Sequence, residues 1–116
     1  MLESEIERRL KKLEDYGFDV LKLRTPANNG VMDRMILWPT YAPNPPTFIE
    51  LKRPDAKLRK LQEEVSKKWK QRGCDVQPFC STLDEVDALI HRLRMKAERQ
   101  AQSNGNAYSE ANDIHL

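Results

Sequence analysis

Glu50 and Lys52 are the side chains of this sequence best suited by type and spacing to chemistry on a phosphate. They stand two positions apart in the segment FIELK. Because side chains alternate between the two faces of a strand, we expect Glu50 and Lys52 on one face and Leu51 on the other. Carboxylate and carbonyl oxygens can hold a hard cation such as Mg²⁺, and a lysine can orient or deprotonate a water or stabilise a pentacovalent phosphate. Glu50, the backbone carbonyl of Leu51 and Lys52 are therefore candidates for a metal-assisted site.

A second carboxylate, that of Asp33, is expected beside them. We predict strands over residues 33–38 and 47–52, joined by a proline-rich loop. In an antiparallel hairpin the start of one strand lies opposite the end of the other, which places Asp33 near Glu50 and Lys52. On its own, Glu50-x-Lys52 is more often a surface ion pair, so the hypothesis of a metal site also depends on the flanking motifs.

The elements that must position these residues follow from apolar periodicity and from the glycines and prolines that interrupt it. The predicted helices cover about residues 3–16, the segment between Pro54 and Gly73, and the segment from Ser81 or Thr82 to about 96; the predicted strands cover 18–23, 33–38, 47–52 and 75–80. The order is α-β-β-β-α-β-α. Strands flanked by helices in a chain of this size predict an α/β fold, with a mixed sheet and helices packed against it.

The length of 116 residues suits one domain with one hydrophobic core. We expect that domain over residues 1–96 and a mobile tail over residues 97–116, where the apolar periodicity ends. No apolar run approaches the roughly 20 residues that cross a bilayer, and the N-terminus is too charged for a signal peptide. We therefore expect a cytoplasmic protein with no membrane partner. In that compartment a disulfide is disfavoured, and Cys74 and Cys80 are expected to act as small buried hydrophobes.

The charge of the chain is concentrated rather than large. Residues 52–72 contain nine Lys or Arg against three acids, whereas the whole chain has a net charge of only +2. A helix this basic can follow the phosphates of a nucleic acid, although a solvated helix face is the more common meaning of a charge run.

Four motifs in order resemble the VRR-NUC branch of the PD-(D/E)xK nucleases, which belong to the restriction-endonuclease-like superfamily. The motifs are ESEIE (residues 3–7), GVMDRMIL (30–37), FIELKRP (48–54) and KL-x-x-LQ (57–62). Together they cover the chain from about residue 3 to 90. The resemblance implies a restriction-endonuclease-like mixed sheet and a metal-dependent nuclease that uses Mg²⁺ or Mn²⁺.

Residue by residue, the resemblance implies metal ligands at Asp33 and Glu50, the catalytic lysine at Lys52 and a supporting Gln62. It also implies an acid on the first helix. Glu3 lies closest to the inward stripe of that helix and is our choice, because Glu5 and Glu7 fall near its two flanks; Glu5 is held in reserve.

One position departs from the family pattern, since Met32 stands where the family usually has a proline before the aspartate. A proline fixes backbone geometry but supplies no ligand, so the change affects positioning more than chemistry. Arg34 follows Asp33 as in the family, and it can hold a phosphate or pair with an acid. The candidate contacts to DNA are Lys22, Arg24, Arg34, Arg53, Lys57 and Lys60.

The expected function is that of a structure-selective DNA endonuclease, similar to a Holliday-junction resolvase or to a flap-cutting enzyme. Symmetric cutting of a junction requires two sites related by a two-fold axis, so we expect a homodimer. A bacterial or phage-encoded protein would fit this role. The alternatives are a non-catalytic DNA-binding module that keeps the nuclease fold, and a structural or protein-interaction domain.

Overall fold

A computed structural model describes residues 3–23, 33–51, 56–77 and 79–114 of the chain. Side chains are described over residues 4–23, 33–51, 59–77 and 79–103. The elements are α1 (Glu3–Leu10), a 3₁₀ helix (Lys11–Tyr16), β1 (Asp19–Lys22), β2 (Arg34–Leu37), β3 (Thr47–Ile49), α2 (Ala56–Gln71), β4 (Asp75–Val76) and α3 (Leu83–Ile114). The predicted order α-β-β-β-α-β-α is confirmed.

The four strands form one mixed sheet in the order β1-β2-β3-β4. The pairs β1–β2 and β2–β3 are antiparallel, and β3–β4 is parallel because α2 carries the chain back between them. In the β2–β3 hairpin Arg34 is paired with Ile49 and Met35 with Phe48. This register places Asp33, one residue before β2, at the end of β3.

The hydrophobic core lies between the sheet and the helices α1 and α3. Its members are Ile6, Leu10, Leu13, Phe18, Val20, Ile36, Ala42, Ile49, Leu51, Cys80, Val86, Leu89, Leu93 and Ala97. The predicted ends of the first helix and of α2 at glycines are confirmed, since Gly17 and Gly73 adopt φ angles of 91° and 88°. At Gly17 an added Cβ would also lie only 3.0 Å from Cβ of Pro39.

β3 is shorter than the predicted strand 47–52 and ends at Ile49. Beyond Ile49 the backbone amides and carbonyls form hydrogen bonds with groups outside the strands. The amide of Leu51 donates to the side chain of Asp33, and the carbonyl of Glu50 accepts a hydrogen bond from the amide of Cys80 at 2.9 Å. Glu50 and Leu51 are thus fixed by bonds from two different parts of the chain, and both residues are buried.

α3 extends to Ile114, well past the predicted end near residue 96. Ala97 is buried in the core, and the side-chain amide of Asn44 donates to Oε1 of Gln100 at 2.7 Å. The boundary predicted at residue 96 therefore falls inside a packed helix, because Ala97 continues the inward stripe of Leu89 and Leu93. The mobility of the more distal residues stays a prediction.

The proline-rich loop between β2 and β3 is attached at both ends. The indole of Trp38 donates to Oγ1 of Thr47, which itself donates to Asp75 on β4 at 2.7 Å. The hydroxyl of Tyr41 donates to the carbonyl of Tyr16 at 2.6 Å. None of the helices in the described part of the chain is long and apolar enough to cross a membrane.

Candidate active site

Asp33 lies against the backbone of the segment that carries Glu50. Its amide donates to the carbonyl of Ile49 at 3.1 Å, and its Oδ1 accepts a hydrogen bond from the amide of Leu51 at 3.2 Å. The side chain keeps 22% of its surface exposed, so the carboxylate lies at the border between the core and solvent. The proximity of Asp33 to the 50–51 segment, which the hairpin argument predicts, is confirmed by these contacts.

Glu50 is the second carboxylate of the site, and it is held from α2. Its side chain is buried, as is that of Gln62, whose amide donates to Oε2 of Glu50 at 2.8 Å. Oε1 of Gln62 is buried as well and accepts no hydrogen bond within the described residues. Gln62 therefore fixes the carboxylate of Glu50 and leaves an acceptor oxygen available to a water molecule or a cation.

Arg34 links the site to α1. Its side chain is 2% exposed, and its Nη1 donates to the carbonyl of Asp33 at 3.0 Å and lies 3.5 Å from Oδ2 of the same residue. Its Nη2 lies 3.3 Å from Oε2 of Glu7. Of the two roles predicted for Arg34, the structure displays the ion pair, and a phosphate contact would require the guanidinium to leave this position.

Among the acids of α1 with described side chains, Glu7 is the one that reaches the site, through Arg34. Glu5 instead lines a surface pocket with Arg8 and Lys12, close to the start of α3. The side chain of Glu3, which we chose from the sequence as the acid of the first helix, lies outside the described residues. A helical wheel ranks the three acids only by their distance from the apolar stripe. It contains no information on a buried guanidinium that another element brings next to α1, as β2 does with Arg34.

Several predicted site residues are not covered by the structural description. Lys52, Arg53 and Arg24 lie outside the described residues, and so does the side chain of Lys57. Lys22 and Lys60 are described and exposed, as a contact to a phosphate backbone requires. The roles of all these residues stay predictions.

The oxygen donors of the described residues suit a hard cation such as Mg²⁺ or Mn²⁺ more than a softer metal such as Zn²⁺ or Cu²⁺. No three His, Cys, Asp or Glu side chains come together as a metal group in the described part of the chain. Asp33 and Glu50 nevertheless flank one backbone segment, and Gln62 brings a buried oxygen without a described donor. Mg²⁺ is usually bound through one or two carboxylates and completes its coordination with water and substrate phosphate, so this set fits the ion.

Cys80 lies next to the site, because its backbone amide donates to the carbonyl of Glu50. Its thiol is not a candidate ligand or nucleophile. Burial raises the pKa of its thiol to about 11, with a further rise from the nearby carboxylate of Glu85 and a smaller opposing effect of Arg92. The thiol therefore stays protonated at neutral pH. Cys74 and Cys80 form no disulfide within the described part of the chain. The prediction of a small buried hydrophobe is confirmed for Cys80, whereas Cys74 is only half-buried.

The candidate site thus lies on a four-stranded mixed sheet flanked by helices, with two carboxylates where β2 begins and β3 ends. A solved structure described as a VRR_NUC domain superimposes on the chain with a TM-score of 0.60 and 23% sequence identity. The match covers 77% of this chain and 94% of that one. The chain thus has the fold of a VRR_NUC domain, as the resemblance of its motifs implies. No family model matches the sequence, and no curated protein does.

Proposed function

We propose that the protein is a metal-dependent, structure-selective DNA endonuclease that hydrolyses phosphodiester bonds. One observation carries the proposal: the carboxylate of Asp33 is bonded to the backbone directly after buried Glu50, on a nuclease fold. A surface ion pair would not need a second carboxylate fixed to the same backbone segment. The arrangement supplies two oxygen ligands that are held in place before any cation binds.

In this proposal Asp33, Glu50 and the carbonyl of Leu51 hold Mg²⁺ or Mn²⁺, and Glu3 is a further ligand on the first helix. Bound there, the cation would polarise the phosphate and lower the pKa of a water molecule. Gln62 holds the carboxylate of Glu50 in position, as its hydrogen bond indicates. Lys52 orients or deprotonates the attacking water, or stabilises the charge that develops on the phosphate.

Recognition of DNA would depend on backbone and shape, since no residue pattern in the chain encodes the reading of base edges. The proposed phosphate contacts are Lys22, Arg24, Arg53, Lys57 and Lys60, and Arg34 if its ion pairs open. Contacts of this kind predict binding that weakens steeply with salt. Branched or flapped DNA is the proposed substrate, in a bacterial or phage-encoded pathway of the cytoplasm.

Cleavage of a four-way junction would need a homodimer, because two symmetric cuts require two sites. We expect sedimentation at micromolar protein to show a dimer, either alone or with a four-way junction. A protein that stays monomeric under both conditions would contradict junction resolution and would leave flap cutting as the proposed reaction.

The direct test is a cleavage panel of four-way junction, flap, duplex and single strand. We expect the branched substrates to be cut in Mg²⁺ or Mn²⁺ and to stay intact in EDTA. Calorimetry of Mg²⁺ uptake by the free protein distinguishes the endonuclease from the alternative, a non-catalytic DNA-binding module. Binding of DNA without Mg²⁺ uptake and without cleavage would reject the endonuclease in favour of that module.

A further inference from the structure

A groove between α2 and β4 lies outside the candidate active site. It has a volume of about 460 Å³ and opens to solvent. Its walls carry the cations Arg59, Lys67 and Lys70 of α2, together with the acid Glu63. Its floor includes Val76 of β4 and, beyond the strand, Phe79. We refer to it below as the α2–β4 groove.

The α2–β4 groove is positively charged. The side chains of Arg59, Lys67 and Lys70 are exposed, and no ion pair with another described residue engages them. Glu63 is the only acid among the described residues that line the groove. Three cations against one acid in a concave surface attract an anionic ligand more strongly than a flat solvated face would, because the walls focus the field.

The groove runs along α2, the helix that also contacts the candidate active site through Gln62. Arg59, Glu63 and Lys70 are four and seven residues apart, so they share one face of the helix. Arg59 and Lys70 are separated by about 16 Å along the helix axis at 1.5 Å per residue. Gln62, which holds Glu50, lies on the same helix between Arg59 and Glu63. The helix that lines the groove therefore also supplies a residue of the candidate active site.

The size and the floor of the groove favour a single strand over a duplex. A volume of about 460 Å³ is within the range of roughly 300–1,000 Å³ that accommodates one small molecule, and so one or two nucleotides. Val76 is buried and Phe79 is half-buried, so the floor presents apolar surface and one aromatic ring. Proteins that bind single strands combine cations along the backbone with aromatic rings that stack on unpaired bases.

We propose that the α2–β4 groove binds an unpaired strand of DNA, with phosphates on Arg59, Lys67 and Lys70 and a base against Phe79. This inference rests on the proposed nuclease function and specifies its substrate. DNA with a single-stranded arm, such as a flap, would occupy the groove and the active site together. A fully paired duplex would leave the groove empty.

Fluorescence anisotropy in EDTA tests the groove without any cleavage, with a labelled oligothymidine, a flap and a duplex as probes. The variant carries Arg59→Gln, Lys67→Gln and Lys70→Gln. Its control carries Lys68→Gln, Arg72→Gln and Arg99→Gln, which removes the same charge from exposed positions outside the groove. We expect the groove variant to bind the oligothymidine and the flap at least about 10-fold more weakly than the control. The slope of log K against log salt should become less steep by about 2, because each lost phosphate contact accounts for roughly 0.7 of the slope.

Phe79→Leu separates stacking from charge. Leucine keeps apolar volume at the floor, and we expect it to weaken binding of the oligothymidine by about 5-fold or more with an unchanged salt slope, as lost base stacking does. Equal binding by the groove variant and its control would overturn the inference. So would equal losses for duplex and oligothymidine, since the groove would then contact paired DNA.

The outcomes for the groove and for the active site remain distinguishable. If wild-type protein cuts the flap in Mg²⁺ and the groove variant does so with unchanged KM, the groove inference fails and the proposed nuclease function stands. If wild-type protein cuts nothing and the groove variant still loses single-strand binding, the nuclease function fails and the groove stands.

Discussion

Asp33→Asn is expected to lower Mg²⁺-dependent cleavage of branched DNA by about 10²–10³-fold, the scale of losing one fixed electrostatic group at a reacting phosphate. The asparagine Oδ1 can still accept the hydrogen bond that the amide of Leu51 donates, so the local backbone should hold. The negative charge that attracts the cation is lost. We therefore expect calorimetry to show little or no Mg²⁺ uptake by the variant, while binding of DNA in EDTA is retained.

Asp19→Asn is the matched control for this prediction. Asp19 is exposed on β1, opposite Leu37 of β2, and the substitution changes the net charge by the same amount. We expect the control to cut DNA and take up Mg²⁺ as the wild type does. Wild-type cleavage by a folded Asp33→Asn protein would remove Asp33 from the catalytic site.

Arg34→Ala should give the largest loss of stability, about 3 kcal/mol or more of the free energy of unfolding. The side chain is buried, and its removal leaves the carboxylates of Glu7 and Asp33 without their shared cation. Breaking a buried ion pair from one side typically costs about 3–5 kcal/mol, and the partial exposure of both acids places this case near the lower limit. Urea unfolding followed by circular dichroism would measure the change.

Two further variants separate the ion pairs from other effects of the substitution. Arg9→Ala removes another guanidinium that joins α1 to an acid, Asp87 of α3, but that pair is exposed, and we expect a loss of about 1 kcal/mol or less. Arg34→Lys keeps a charge without the planar fork that contacts both acids, so its stability should lie between wild type and Arg34→Ala. A similar loss for Arg34→Ala and Arg9→Ala would show that the buried bridge contributes nothing beyond a surface pair.

Arg34 also bears on the proposed chemistry, because it contacts Asp33, the proposed metal ligand. Its guanidinium contacts both the carbonyl and the carboxylate of Asp33. A metal cation bound at Asp33 would be repelled by the positive charge of Arg34. The carboxylate of Glu7, which lies beside Arg34, offsets part of that repulsion. In the described structure, Glu7 is thus the acid of α1 that is linked to Asp33. The link passes through the guanidinium of Arg34.

The sequence by itself determined those features that depend on neighbouring residues. The order of the elements followed from local periodicity, and the helix ends at Gly17 and Gly73 followed from the freedom of glycine to adopt positive φ. The approach of Asp33 to the 50–51 segment also followed, because a short hairpin fixes which ends of its strands meet. The motifs around Asp33, Glu50 and Gln62 then indicated the nuclease fold.

Only the tertiary structure decided the contacts between groups that are distant along the chain. The bridge from Glu7 to Arg34, the hydrogen bond from Gln62 to Glu50 and the continuation of α3 past Ala97 against Asn44 each join separate elements. Periodicity records which face of an element is apolar, but not which charge or amide faces it from another element. Such pairings depend on packing distances of a few ångströms, and these exist only once the sheet and its helices have assembled.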